Sequence, residues 1–196
     1  MEKVDDSRFK LYDLPTPLTG PCDLVEGHDG ALWGEGVLNN VIFRMHPHTG
    51  AFEEYPIPFT TPLDDHPIEL PGLFKSFTDR TAFSCVIRRG ADGNLYAANG
   101  MRNQLLRINE KTKKIDVFQI TPTDPLDNLV FLNDIDTAED DIYVTSTTAN
   151  PFSFFSFATE KFESYYVLTP LSLPLGVLVA SDGLVYIVEF NVNKKS

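Results

Sequence analysis

Short apolar runs separated by polar turns recur along the whole chain. In residues 27–58, GHDGALWGEGVLNNVIFRMHPHTGAFEEYPIP, the aliphatic and aromatic positions fall in runs bounded by Asp29-Gly30, Asn39-Asn40 and Thr49-Gly50. Such runs are too short for helices, and Gly and Asn at their ends supply the positive φ that tight hairpins need. The spacing predicts strands at Cys22–Glu26, Ala31–Gly36, Val41–Met45 and Ala51–Ile57. The pattern returns from Gly90, from Thr137 and, in part, from Ala180. Laid on one another without a gap, the first three copies agree in their aromatic and aliphatic positions: Trp33, Tyr96 and Tyr143 coincide, as do Asn40 and Asn103.

A unit of four strands repeated about every 45 residues predicts an all-β fold, a β-propeller of four-stranded antiparallel blades, about four in number. The expected blades span about 20–58, 83–121, 130–168, and 173–196 together with 8–16, in one domain over 8–196. Residues 1–7 are charged and are expected to be disordered. Phe9, Tyr12 and Leu14 match Phe52, Tyr55 and Ile57 in spacing. The N-terminal stretch therefore reads as a fourth strand that completes the last blade, whose own pattern stops near Asn193 before a third strand. That unfinished edge also admits a homodimer.

Sixteen basic against 28 acidic residues leave a formal charge of −12. An acidic surface of this kind disfavours nucleic acid and anionic membrane as partners; the expected partner, a small-molecule substrate, follows from the fold. The N-terminus, MEKVDDSRFK, lacks the apolar core of a signal peptide, so a cytoplasmic location is expected. Cys22 and Cys85 occupy equivalent places in successive units. Equivalent strands of neighbouring units usually lie too far apart for a disulfide, so both are expected as free thiols.

The phrases GPCDLVEGHDGALWGEG, NNVIFRMHPHTG and EEYPIP resemble the repeat of the virginiamycin B lyase-like propellers. The resemblance runs over residues 9–193 and implies a ligand at one mouth of the central channel. In that group a metal and a base at the mouth carry an elimination that opens a cyclic depsipeptide. Glu189 stands at the glutamate of the group's Trp-x-x-Glu pattern, while the histidine expected two residues later is Asn191. Leu132 to Ser146 is also similar to a signature of gluconolactonase- and phosphotriesterase-type propellers, which makes Asn133 a candidate metal ligand.

On the gapless alignment the mouth is lined by Asp23, Val86, Asn133 and Gly176, then by Leu24, Ile87, Asp134 and Val177. Asp134 thus reads as a carboxylate at an aliphatic place, and a rule broken in one repeat is where function is sought. The alternative is an aspartate that caps neighbouring backbone amides. Asp23, Asn133 and Glu189 form an oxygen set that would hold Mg²⁺ or Ca²⁺, although shape and hydrogen bonds alone can promote a cyclisation. The long connection after Pro58 reads as a lid. It would bring His66 as a third catalytic group beside Asp134 and Glu189, and Phe74, Phe77 and Arg80 as substrate contacts together with Asn99 and Arg102. These residues point first to a lyase or cyclase, second to a metal-dependent lactonase or esterase, and third to a non-catalytic binding propeller. No Gly-x-Ser-x-Gly, Cys-x-x-Cys or phosphate loop is present.

Overall fold

The computed structural model describes residues 9–58, 85–120, 132–146, 151–191 and 194–195. Among the described residues fifteen strands form four antiparallel sheets in chain order. Blade one comprises β1 (Pro21–Glu26), β2 (Leu32–Gly36), β3 (Val41–Met45) and β4 (Phe52–Pro56). Blade two comprises β5 (Ile87–Arg89), β6 (Leu95–Asn99), β7 (Gln104–Ile108) and β8 (Ile115–Gln119), with a 3-10 turn at Gly100–Arg102. Blade three comprises β9 (Leu132–Thr137), β10 (Asp141–Ser146), β11 (Pro151–Ser156) and β12 (Lys161–Tyr166). Blade four has β13 (Pro174–Val179), β14 (Val185–Glu189) and a two-residue β15 (Lys194–Lys195). The all-β propeller expected from the repeat is therefore the fold.

Local chemistry explains each hairpin. Gly30, Gly93 and Gly183 hold positive φ at the first turn of blades one, two and four. The preceding aspartates, Asp29, Asp92 and Asp182, accept backbone N–H bonds from two residues on, closing the turn. The second carboxylate oxygen takes the hydroxyl of Tyr96 at 2.8 Å and of Tyr186 at 2.9 Å. Blade one has Trp33 at that place, and there Asp29 pairs with Arg44 instead. Arg44 opposes Glu53 and Arg107 opposes Asp116 across β3–β4 and β7–β8. In blade three, Phe154 takes the arginine's place and stacks on Tyr165 at 5.9 Å.

Adjacent blades bury their core between them. The last-facing side of blade one sets Trp33 against Ile87, Leu95 and Ala97 of blade two. Blade two in turn sets Tyr96 and Ala98 against Ile135, Ile142 and Phe155 of blade three. Each junction removes apolar side chains from water at about 25 cal/mol per Å², which is what holds consecutive sheets face to face.

Three expectations are corrected. Cys22 and Cys85 form a disulfide with Cα atoms 5.1 Å apart, because the inner strands of blades one and two converge at the channel. They are not free thiols. The last blade does begin a third strand, β15, after Asn193. The N-terminal stretch does not complete that blade within the chain. Residues 9–14 belong to none of the four sheets and lie on blade one, where Tyr12 donates to the Pro47 carbonyl at 3.0 Å and packs on Gly50.

Candidate functional site

Three of the four inner strands start with a bulge. Between Pro21–Gly36 and Leu24–Gly34, two residues of β1 oppose one of β2. The same irregularity falls between the last two pairs of β9–β10 and between Pro174–Glu189 and Gly176–Val188. Bulges re-aim side chains and are common beside sites.

The register also revises which residues are equivalent. Residues 27–31 lie between the pair Glu26–Leu32, whereas only 138–141 lie between Thr137–Ile142. Blade three has lost one residue from its first turn, so a gapless alignment slips by one along β9. Matching the ladders makes Asp134 equivalent to Asp23, and Ile135 to Leu24, Ile87 and Val177. Asp134 is therefore no carboxylate at an aliphatic place.

Their hydrogen bonds agree. Asp23 accepts from Leu24 N at 2.8 Å and from Ile87 N of the next blade at 3.3 Å. Asp134 accepts from Ile135 N at 3.0 Å and from Val177 N of the next blade at 3.1 Å. Asp136 repeats this two residues on, with Thr137 N at 2.9 Å and Val179 N at 2.7 Å. Each carboxylate fastens its own strand to the next blade's inner strand.

Arg88 joins the first two. Its guanidinium pairs with Asp23 and lies 3.9 Å from Asp134, so one cation on blade two stands between carboxylates of blades one and three. All three side chains remain partly open to water, at 41%, 30% and 27% for Arg88, Asp23 and Asp134. Burial pushes the Asp134 carboxyl up, against the Val177 amide and the Arg88 guanidinium, which both favour its charged form. Sequence reasoning missed Arg88. The signal was available: Arg88 and Asp136 stand at the β5 and β9 positions matched by Val25 and Leu178.

The remaining candidates lie at strand ends and in a turn. Glu189 is buried at the end of β14, opposite Pro174. Asn99 is buried and donates to Gln104 at 3.0 Å, within an amide chain that continues to Gln119. Arg102 reaches blade one and bonds Asn40. His66, Phe74, Phe77 and Arg80, with the lid they belong to, lie outside the described residues, as does the side chain of Asn133. Among the described residues no three His, Cys, Asp or Glu groups converge in a way that could hold a metal ion. Asp23 spends its oxygens on two amides and Arg88. The described part of the Asp23–Asn133–Glu189 set does not fit a cation.

A groove of about 610 Å³ opens beside Asp134 and is lined by Gly176, Leu178, Asp182, Tyr186 and Val188. It is the face of blade four that corresponds to the buried Trp33 and Tyr96 faces of blades one and two.

No protein-family model and no curated protein matches the chain. Solved structures do. The chain is similar to selenomethionine-substituted virginiamycin B lyase from Staphylococcus aureus, with a TM-score of 0.71, 22% identity, and coverage of 94% of this chain and 54% of that one. A streptogramin B lyase structure matches with a TM-score of 0.69 and 19% identity, over 94% of this chain and 56% of that one. The WD40 repeats of RRP9 match with a TM-score of 0.56 and 12% identity, over 93% and 52%. The chain spans about half the length of these structures, and it shares with them the β-propeller fold.

Proposed function

We propose that this chain is part of a small-molecule enzyme of lyase or cyclase type, with proton transfer at Asp134 on the channel wall. The observation that carries the proposal is the Asp23–Arg88–Asp134 group: a carboxyl raised by burial, within 3.9 Å of a guanidinium, on strands that face the channel. A raised carboxyl is a better proton carrier near neutral pH than an ordinary one. Arg88 supplies a donor for a substrate carbonyl or carboxylate oxygen.

The chemistry that suits these two groups needs neither oxidant nor cofactor. In a cyclisation, the Asp134 carboxylate takes the proton of a substrate hydroxyl as its oxygen bonds to an activated alkene carbon. The same proton then passes to the adjacent carbon. The reverse sequence is an elimination that breaks the C–O bond. Similarity to lyase structures supports this reading at the level of fold.

The amide-holding role shared by Asp23 and Asp134 favours a second reading, a propeller that binds without catalysis. Asp134→Asn separates the two. It keeps an oxygen for the amides and removes the proton carrier. The test is turnover of quinupristin and of an unfractionated metabolite extract, followed by mass spectrometry. Conversion by the unaltered protein and none by Asp134→Asn is expected. Equal conversion by both, or by neither, would remove Asp134 as the proton carrier and leave the binding propeller.

A further inference from the structure

Asn99, Gln104 and Gln119 lie side by side on β6, β7 and β8 and form a chain of amides whose direction is fixed. At its outer end the Gln119 side-chain nitrogen donates to the backbone carbonyls of Arg102, Asn103 and Ile120 at 3.0, 3.1 and 3.3 Å. Turning that amide over would set its oxygen against three carbonyls, so the oxygen points inward along the chain. There it accepts from Gln104 Nε2 at 3.1 Å, and Gln104 Oε1 accepts from Asn99 Nδ2 at 3.0 Å. Asn99 is left with Oδ1 at the inner end. The residue is wholly buried, and no donor reaches that oxygen among the described residues.

Buried amide oxygens are nearly always matched by a donor. This one stands at the end of β6, where the Ala98 N–H reaches the Val86 carbonyl at 3.3 Å just ahead of β5. Leu95 and Ala97 pack on the Trp33 side, so alternation turns Asn99 to that side as well. The 3-10 turn that follows, Gly100–Arg102, contacts β9. Ser146, opposite Leu132 of β9, carries a second buried oxygen without a partner among the described residues. Asn99 follows Tyr96, and Ser146 follows Tyr143, at the same spacing, so the two occupy one rung of adjacent blades.

We infer that Asn99 is a specificity-determining acceptor for a ligand at the channel mouth, and that this ligand is an alcohol. Its hydroxyl hydrogen goes to Asn99 Oδ1, and its oxygen takes the hydrogen of the Ser146 hydroxyl. A hydroxyl group meets both needs, because it donates and accepts at one atom. A ketone, carboxylate or phosphate oxygen meets the Asn99 oxygen lone pair to lone pair and is rejected, since the amide chain keeps Asn99 from turning its nitrogen to the ligand. Gln104 and Gln119 are positioning residues here. The inference rests on the proposed reading in placing the ligand at the mouth and does not require proton transfer at Asp134.

Cyclohexanol and cyclohexanone match in size and differ in the donor, so NMR titration of the labelled protein with each probe tests it. The unaltered protein is expected to bind the alcohol about tenfold more tightly, the factor carried by one hydrogen bond, with the shifts centred on Asn99 and Ser146. Asn99→Leu abolishes that preference. Gln119→Leu alters an exposed residue and frees the amides to turn over. Asn99 then presents its nitrogen and the ketone becomes the tighter ligand, a reversal that a merely structural role would not produce. Equal affinity for the two probes, binding of neither, shifts centred elsewhere, a preference that survives Asn99→Leu, or one unchanged in Gln119→Leu would each overturn it. Turnover by Asp134→Asn decides the proposed reaction separately, so either can fail without the other.

Discussion

Asp23 and Asp134 hold the same place in blades one and three, and each fastens its strand to the next blade through two backbone amides. One aspartate answers to Arg88 at contact distance and the other at 3.9 Å, so the same side chain meets two electrostatic settings.

Removal of either carboxylate leaves two amides without their acceptor. Asp23→Ala and Asp134→Ala are each expected to cost about 1–3 kcal/mol, the range for a donor left without its acceptor. Asp134→Asn should cost less, since an oxygen remains. Denaturant unfolding of the three variants measures this, and a negligible loss in both alanine variants would contradict the fastening role.

Asp134 also sets a pH dependence. Its folded carboxyl is raised above 3.8, so the folded state holds the proton more tightly than the unfolded one. The resulting stabilisation is complete below about 3.9, the unfolded value, and is lost as pH rises through the folded value. Stability relative to Asp134→Asn should therefore fall with rising pH across that window. Asp29, held down by its bond to Arg44, and Asp116, held down by Lys114 and Arg107, act in the opposite sense. Their contribution is present above 3.8 and disappears as pH falls through their lowered values. Unfolding curves measured from acid to neutral pH for the two proteins test the difference.

The Cys22–Cys85 bridge closes a loop of 63 residues. Chain entropy assigns such a loop about 4 kcal/mol of stability. Reduction should lower the melting temperature and release two titratable thiols. The double variant Cys22→Ser, Cys85→Ser should melt at the reduced temperature whether or not reductant is present.

Glu110 carries the second tie between blades one and two. It is nearly buried, bonds Arg89 at 2.6 Å and accepts from His28 N at 2.8 Å. Glu110→Ala takes the carboxylate away from Arg89 and from the His28 amide, for an expected loss of about 3 kcal/mol. Calorimetry of the variant, with Glu110→Gln as the milder comparison, gives the measurement.

Fold and site were legible to different degrees. Turn residues and the Trp33–Tyr96–Tyr143 series report backbone needs that act locally, so strand positions and the propeller followed from them. A gapless alignment gives Asp134 a place it does not hold, because blade three is one residue shorter between Thr137 and Ile142, which shifts each β9 comparison by a place. Side chains alternate faces, so that shift exchanges inward for outward positions. The disulfide and Arg88 depend on how closely inner strands converge, which no single repeat encodes. Arg102 and Asn99 bond Asn40 and Gln104, partners from another blade and from the next strand that local sequence does not reveal.

The bridge between Cys22 and Cys85 gives the mouth two kinds of wall. Blades one and two are joined there by a covalent bond that neither acid nor thermal motion loosens. Blades three and four are joined by aspartate–amide bonds at Asp134 and Asp136 and by Thr145 on the Leu175 carbonyl at 3.1 Å. Any loosening of the inner strands therefore falls outside the first pair of blades, which the bridge holds as one unit.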